Sequence, residues 1–162
     1  MIRPAGPADA EAIASIYNRG IEERQATFQT RPHDPGELEL KIEQRGGHLI
    51  VSEQDGKIDG WAGWSGYDDP GEYYAGVAEC AVYVAPEARS LGVGVALMEG
   101  LANEAAKVRV HKLLAKVFTT NEASIALFRS CGFREVGTHL RHGQLDGEWK
   151  DVLLLERCLD SP

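Results

Sequence analysis

Ala81-Val82-Tyr83-Val84, then Pro86, then Arg89-Ser90-Leu91-Gly92-Val93-Gly94-Val95-Ala96-Leu97-Met98 read in order as an apolar strand, a glycine-bearing loop and the start of a helix. Gly92 and Gly94 leave backbone N–H groups open to close approach by an anion, and the helix N-terminus that follows adds a partial positive charge. The stretch is a candidate phosphate cradle; the plainer alternative is a glycine loop that only turns the chain. Two nucleotide-binding patterns fail on it. A P-loop ends in Gly-Lys-Ser/Thr, whereas Gly94 is followed by Val95 and Ala96. A dinucleotide fingerprint needs a third small residue where Leu97 stands and an acidic residue about twenty positions later, where the chain has Leu113-Leu114-Ala115. What remains is Arg-x-x-Gly-x-Gly at a strand-to-helix junction.

Upstream of this junction, residues 2–5 read as an edge strand. Pro7 opens a helix with Ala10, Ile13, Ala14 and Tyr17 at helical spacing. Residues 22–33 have no clean period and read as loop. A second helix starts at Pro35 and ends near Gly46-Gly47. Strands at 48–53 and 57–64 form a hairpin around Asp55-Gly56. A longer strand spans 73–84, and Pro86 stops it. Downstream come a helix over 92–107 and a strand over 112–118. Thr119-x-x-Glu122 reads as a capping box for a fourth helix that runs through Cys131 and stops at Gly132. Strands at 133–137 and 149–155 close the chain, separated by a loop at 142–147. The order predicts one mixed α/β domain over residues 1–162.

Composition narrows the partners. A chain of 162 residues buries roughly 70% of its extended surface and needs neither disulfide nor metal to hold a core. Three widely spaced cysteines, Cys80, Cys131 and Cys158, argue against a disulfide framework and for a reducing compartment, the cytoplasm. No apolar run approaches the roughly 20 residues that span a bilayer. A net charge of −8 repels nucleic acid and anionic membrane while leaving room for a local anion pocket, so the expected partner is a small molecule. The five histidines lack paired ligand spacing, and no metal is expected.

The Arg89 loop resembles the pyrophosphate loop of the GNAT acetyltransferase superfamily, and the order of elements is similar to that fold: a mixed, mostly antiparallel sheet of about seven strands flanked by about four helices. Asn121-x-x-Ser124-x-x-Leu127-Phe128-x-x-x-Gly132-Phe133 resembles its second signature, in which Asn and Ser face the pantetheine and adenosine-phosphate parts of CoA. Plain helix capping is the competing account of Asn121 and Ser124. The resemblance implies acetyl-CoA as co-substrate, held by Val82, Tyr83, Val84, Arg89, Ser90, Leu91, Gly92, Val93, Gly94, Val95, Ala96, Asn121, Ser124 and Phe128. Residues 27–32, 78–84 and 142–152 are similar to the phosphinothricin, methionine sulfoximine and arsinothricin N-acetyltransferases. Those resistance enzymes acetylate the α-amine of glutamate-like amino acids. A homodimer is a further implication of that likeness.

An amine must be neutral to attack a thioester, and each pKa unit above ambient pH costs about 1.4 kcal/mol. A peptide-like α-amine near pKa 8 costs less than about 1 kcal/mol at about pH 7.4, so a modest general base suffices. Glu79 matches the position of the catalytic Glu in the phosphinothricin-type enzymes; partial burial or a relaying water would help it, and the alternative is a surface carboxylate paired with an Arg. Backbone N–H from Val82 or Val84 is the implied oxyanion donor. Phe128 stands where relatives carry a Tyr or His that protonates the leaving thiolate, which leaves water, Tyr83, Tyr73 or Cys131 as the donor, or a thiolate that departs unprotonated. The relatives' basic residues are missing from 65–72. An acceptor carboxylate would therefore meet Arg24, Arg31, Arg141 or His142, with Phe28 and Thr30 lining the pocket unless Phe28 is core. The acceptor is expected to be a small-molecule amine. Two alternatives are a peptide or protein amine, favoured by an acidic groove around Asp68, Asp69 and Glu72, and a non-catalytic acyl-CoA sensor.

Overall fold

The computed structural model describes residues 1–45, 48–67 and 72–159. Strand β1 is Ile2–Pro4; after a 3₁₀ turn at Pro7–Asp9 come helices α1, Ala10–Glu22, and α2, Pro35–Arg45. Strands β2, Leu49–Gln54, and β3, Lys57–Gly66, form the Asp55-Gly56 hairpin, whose two turn residues have φ of 52° and 76°. Strand β4 is Val77–Val84 and helix α3 Val93–Lys107. Strand β5, Lys112–Phe118, helix α4, Glu122–Ser130, and strands β6, Arg134–Leu145, and β7, Glu148–Cys158, complete the chain.

All the strands join one sheet in the order β1-β2-β3-β4-β5-β7-β6. Every pairing is antiparallel except β4 with β5. Alternation along the strands feeds two cores. Ile50, Ala62, Cys80, Leu113, Ala115 and Val117 pack on one face beneath Leu97, Met98 and Leu101 of α3. On the other face Val51 and Trp61 pack against Ile13 and Ile16 of α1 and Ile42 of α2.

Three expectations shift. The long strand begins at Val77 rather than 73, because Gly76 turns at φ 87° and its carbonyl accepts the N–H groups of His111 and Lys112. The cap of α4 is Asn121, whose Oδ1 accepts the Ser124 N–H at 3.2 Å, not Thr119. The expected loop at 142–147 is strand: β6 and β7 run to a two-residue turn at Asp146 and Gly147, with φ of 50° and 83°. Gly46 and Gly47, expected to end α2, and the acidic pair Asp68 and Asp69 lie outside the described residues.

Candidate active site

The parallel pairing of β4 with β5 covers only Val77↔Lys112, Ala78↔Leu113 and Glu79↔Leu114. Beyond Glu79 the strands part. The Val77 carbonyl accepts from Tyr67 N–H at 3.2 Å and the Ala85 N–H donates to the Asp59 carbonyl at 2.9 Å, so odd-numbered positions of β4 turn their backbone groups toward β3. By alternation the N–H groups of Val82 and Val84 turn into the gap toward β5, and the Val84 carbonyl on that side accepts from Arg89 Nε at 3.3 Å.

Glu79, Ala81 and Tyr83 share the face toward α1 and line a cavity of about 380 Å³ with Ile13, Tyr17, His33, Lys41, Trp61 and Lys116 among its walls. Tyr83 is stacked on Trp61 with centroids 5.0 Å apart and meets the edge of Tyr17 at 4.7 Å; burial raises its phenol pKa. Glu79 is 34% exposed and ion-paired, with Lys116 rather than an Arg. His33 is fixed by Asn18, which accepts its N–H at 2.7 Å and donates to its carbonyl at 3.1 Å. Burial and the nearby Lys41 charge hold its imidazole below the usual range, so it is neutral at pH 7.

At the far end of the gap Ser90 has φ 62° and Gly92, which precedes α3, has φ 83°. A Cβ on Gly92 would meet nothing within 4 Å, whereas one on Gly94 would come within 2.9 Å of Leu127 Cδ2. Gly92 thus borders open space, and Gly94 is a packing requirement between α3 and α4. The Ala96 N–H donates to the Gly92 carbonyl at 3.1 Å, while the N–H groups of Val93, Gly94 and Val95 precede the first helical bond. These donors, flanked by Arg89 and exposed Leu91 and Val95, fit a pyrophosphate with an apolar tail. Arg89 also pairs with Glu23 at 2.9 Å. Asn121 reaches back through Nδ2 to the Gln25 carbonyl at 3.1 Å, tying α4 to the loop after α1. Phe128 is buried edge-on against Phe133 with centroids 5.0 Å apart, a core contact. Of the other groups weighed for protonating the thiolate, Cys131 is buried and Tyr73 exposed.

The structure does not bring Phe28, Thr30, Arg141 or His142 to the Glu79 cavity. Phe28 packs on Phe118 at 4.7 Å and over Gly143, and Thr30 is exposed. The Arg141 N–H donates to Asp151 Oδ1 at 2.7 Å, His142 stacks on His139 at 4.4 Å, and Arg24 pairs with Asp146. The cations on the cavity wall are Lys41 and Lys116, which sequence reasoning passed over. A signal for Lys116 existed: Leu113, Ala115 and Val117 alternate into the core, leaving Leu114, Lys116 and Phe118 on the cavity face with one charge among them. Among the described residues no cluster of three or more metal-ligating side chains occurs.

A family model described as Acetyltransferase (GNAT) family matches residues 13–133. An L-methionine sulfoximine/L-methionine sulfone acetyltransferase of Pseudomonas aeruginosa is 31% identical, over 98% of this chain and 94% of that protein. A phosphinothricin N-acetyltransferase of Streptomyces coelicolor is 32% identical, over 98% and 95%. A solved acetyltransferase structure from Salmonella typhimurium with its cofactor acetyl-CoA superposes with a TM-score of 0.91 at 30% identity, over 100% of this chain and 95% of that one.

Proposed function

This chain belongs to the GNAT acetyltransferase family and is an acetyl-CoA-dependent N-acetyltransferase, and we propose that its acceptor is the α-amine of a small amino acid or glutamate analogue of the phosphinothricin or methionine sulfoximine kind. The observation that carries this reading is the position of Glu79. It sits at the last rung joining β4 to β5, where the cavity and the backbone gap meet.

Acetyl-CoA supplies the activated acetyl group when bound. The open N–H groups after Gly92, with Arg89, hold its pyrophosphate, and Asn121 and Ser124, joined as the cap of α4, are the residues proposed to face the rest of the CoA. Glu79 takes the proton of the acceptor amine, directly or through one water, as the nitrogen attacks the thioester carbonyl. The N–H of Val82 or Val84 donates to that carbonyl oxygen as it gains charge. The carbon–sulfur bond then breaks, and the thiolate takes its proton from water, since Phe128 has none to give. Lys41, which has no ion-pair partner among the described residues, stands on the α2 wall where the acidic side chain of a glutamate analogue reaches. With a toxic analogue as acceptor the reaction is a detoxification.

We place the reaction in the cytoplasm, where acetyl-CoA is available; no helix among the described residues is long and apolar enough to cross a membrane. Dimerisation is supported by β6, an edge strand exposed along most of its length, with Val136, Leu140 and the neighbouring Trp149 open to solvent.

Thiol release from acetyl-CoA tests the reading against free amino acids, glutamate analogues, lysine peptides and no acceptor. Release only with amino acids is expected. Glu79→Gln should lower turnover by well over tenfold, toward the roughly 10²- to 10⁴-fold span of general-base catalysis, with acetyl-CoA affinity little changed. Near-wild-type turnover of that variant would remove Glu79 from the mechanism.

A further inference from the structure

Glu79 and Lys116 place a carboxylate and an ammonium side by side at the cavity wall. That arrangement is the inverse of an α-amino acid zwitterion, in which an ammonium and a carboxylate are borne on one carbon. We propose that Lys116 is the anchor for the α-carboxylate of the acceptor, so that the enzyme selects amines carrying a free carboxylate on the same carbon. The inference rests on the amino-acid reading above and names the residue that enforces it.

Register supplies the geometry. Glu79 is level with Leu114, and Lys116 lies two residues further along β5 on the same face, so its side chain crosses the mouth of the gap to reach Glu79. Stability does not account for a lysine there. Glu79 is 34% exposed and Lys116 50%, and a pair this open to water contributes little to the fold. Charge balance points the same way. Lys41 and Lys116 outnumber Glu79 among the charged residues of the cavity wall, His33 being neutral, so the pocket is cationic inside a protein of net charge −8. An amino acid docks there as the zwitterion, and once its ammonium proton has passed to Glu79 the charge it keeps is the carboxylate, which the cationic wall matches.

When such an acceptor docks, its nitrogen takes the Glu79 carboxylate and its carboxylate draws Lys116 away from that carboxylate. One ion pair becomes two, and the base is uncovered as the nucleophile arrives. A simple amine, an amino-acid amide or a peptide N-terminus brings no carboxylate and must compete with Lys116 for Glu79.

The test compares three acceptors of one side chain, the free amino acid, its carboxamide and the amine lacking the carboxyl group, using methionine sulfoximine and any proteinogenic amino acid the enzyme accepts. Wild-type kcat/KM is expected to favour the free acid by roughly 10- to 100-fold, the span of a charge-assisted hydrogen bond. Lys116→Met should erase most of that preference, chiefly by raising KM for the free acid, and Lys116→Arg should keep a large part of it. Equal preference in the wild type overturns the proposal without any variant. So does a Lys116→Met enzyme slowed by the same factor on all three acceptors, which is what a mere neighbour of Glu79 gives. A wild-type protein inert toward every amine overturns the acetyltransferase reading itself, an outcome distinct from acetylation of acids and amides alike.

Discussion

Asp9 is the one buried charged side chain among the described residues, and its partners explain why it is tolerated. Arg3 donates to both its oxygens, at 2.7 and 2.8 Å, Gly6 N–H adds a bond at 2.8 Å, and Arg3 also pairs with Glu53 at 2.7 Å. The Arg3 bond, working against burial, holds the Asp9 carboxyl below its ordinary 3.8. The folded pKa is lower than the unfolded one, so the stability this contributes is complete above about 3.8 and is lost as pH falls through the folded value. Asp9→Asn should cost about 2 kcal/mol at pH 7, with the gap to wild type narrowing below pH 4 in urea unfolding. A gap independent of pH would show that packing, not charge, holds the site. His33 acts in the same direction at milder acid: its folded value lies below the ordinary 6.5, so protonating it as pH drops past 6.5 disfavours the fold. At this scale the site was half legible. Asn121 and Ser124 could be picked out because their spacing starts a helix, and what the structure shows of them is the cap of α4. Alternation could mark Lys116 as the one charge between Leu114 and Phe118 on its face of β5, but what it meets depends on which strand lies beside β5, and no local pattern in 112–118 records that.

Gly92 and Gly94 sit two residues apart at the entry to α3 and are required for different physical reasons, which substitution separates. Alanine at Gly92 must adopt φ 83°, at a cost of about 1 kcal/mol, and its methyl group projects into the open space beside the N–H donors. Alanine at Gly94 is helical and unstrained but meets Leu127 Cδ2 at 2.9 Å, so Leu127 must turn or α4 must move, at about 1–3 kcal/mol. Gly92→Ala should therefore lose acetyl-CoA affinity out of proportion to its fall in Tm, and Gly94→Ala the reverse. Calorimetric titration beside thermal melts checks both, and matched losses would mean that one effect underlies the two. Elements were legible where chemistry is local: Asp55-Gly56 gave its hairpin, and Pro35 began its helix. The end hairpin was misjudged because 139–143 carries a register irregularity and Arg141 at φ 48°, which interrupts alternation without ending the strand. Tyr73 and Tyr74 have strand-forming side chains, yet Gly76 turns the chain before β4 begins.

At the scale of the molecule, β1 to β4 and β5 to β7 are joined within the sheet by only three paired positions, and the same divergence that creates the site removes the hydrogen bonds that would have continued the junction. On the proposed mechanism a ligand in the gap would do structural work as well as chemistry, since a Val82 or Val84 N–H would gain an acceptor there. Mass action gives the size: at a hundred times Kd, acetyl-CoA adds about 2.7 kcal/mol of stability, which raises Tm by roughly 5–10 °C for a chain of this length. Glu79→Gln should keep the whole shift, because Glu79 meets the acceptor and not the CoA. Arg89→Ala should lose much of it, because Arg89, which bonds the Val84 carbonyl, is also the proposed partner of the pyrophosphate. Hydrogen exchange localises the effect: the amides of Val82 and Val84 should exchange measurably more slowly with acetyl-CoA, while that of Ala81, already directed at β3, should change little. Equal slowing at all three would mean that the ligand tightens β4 as a whole without using the gap, and the assignment of the oxyanion donors would fall with it.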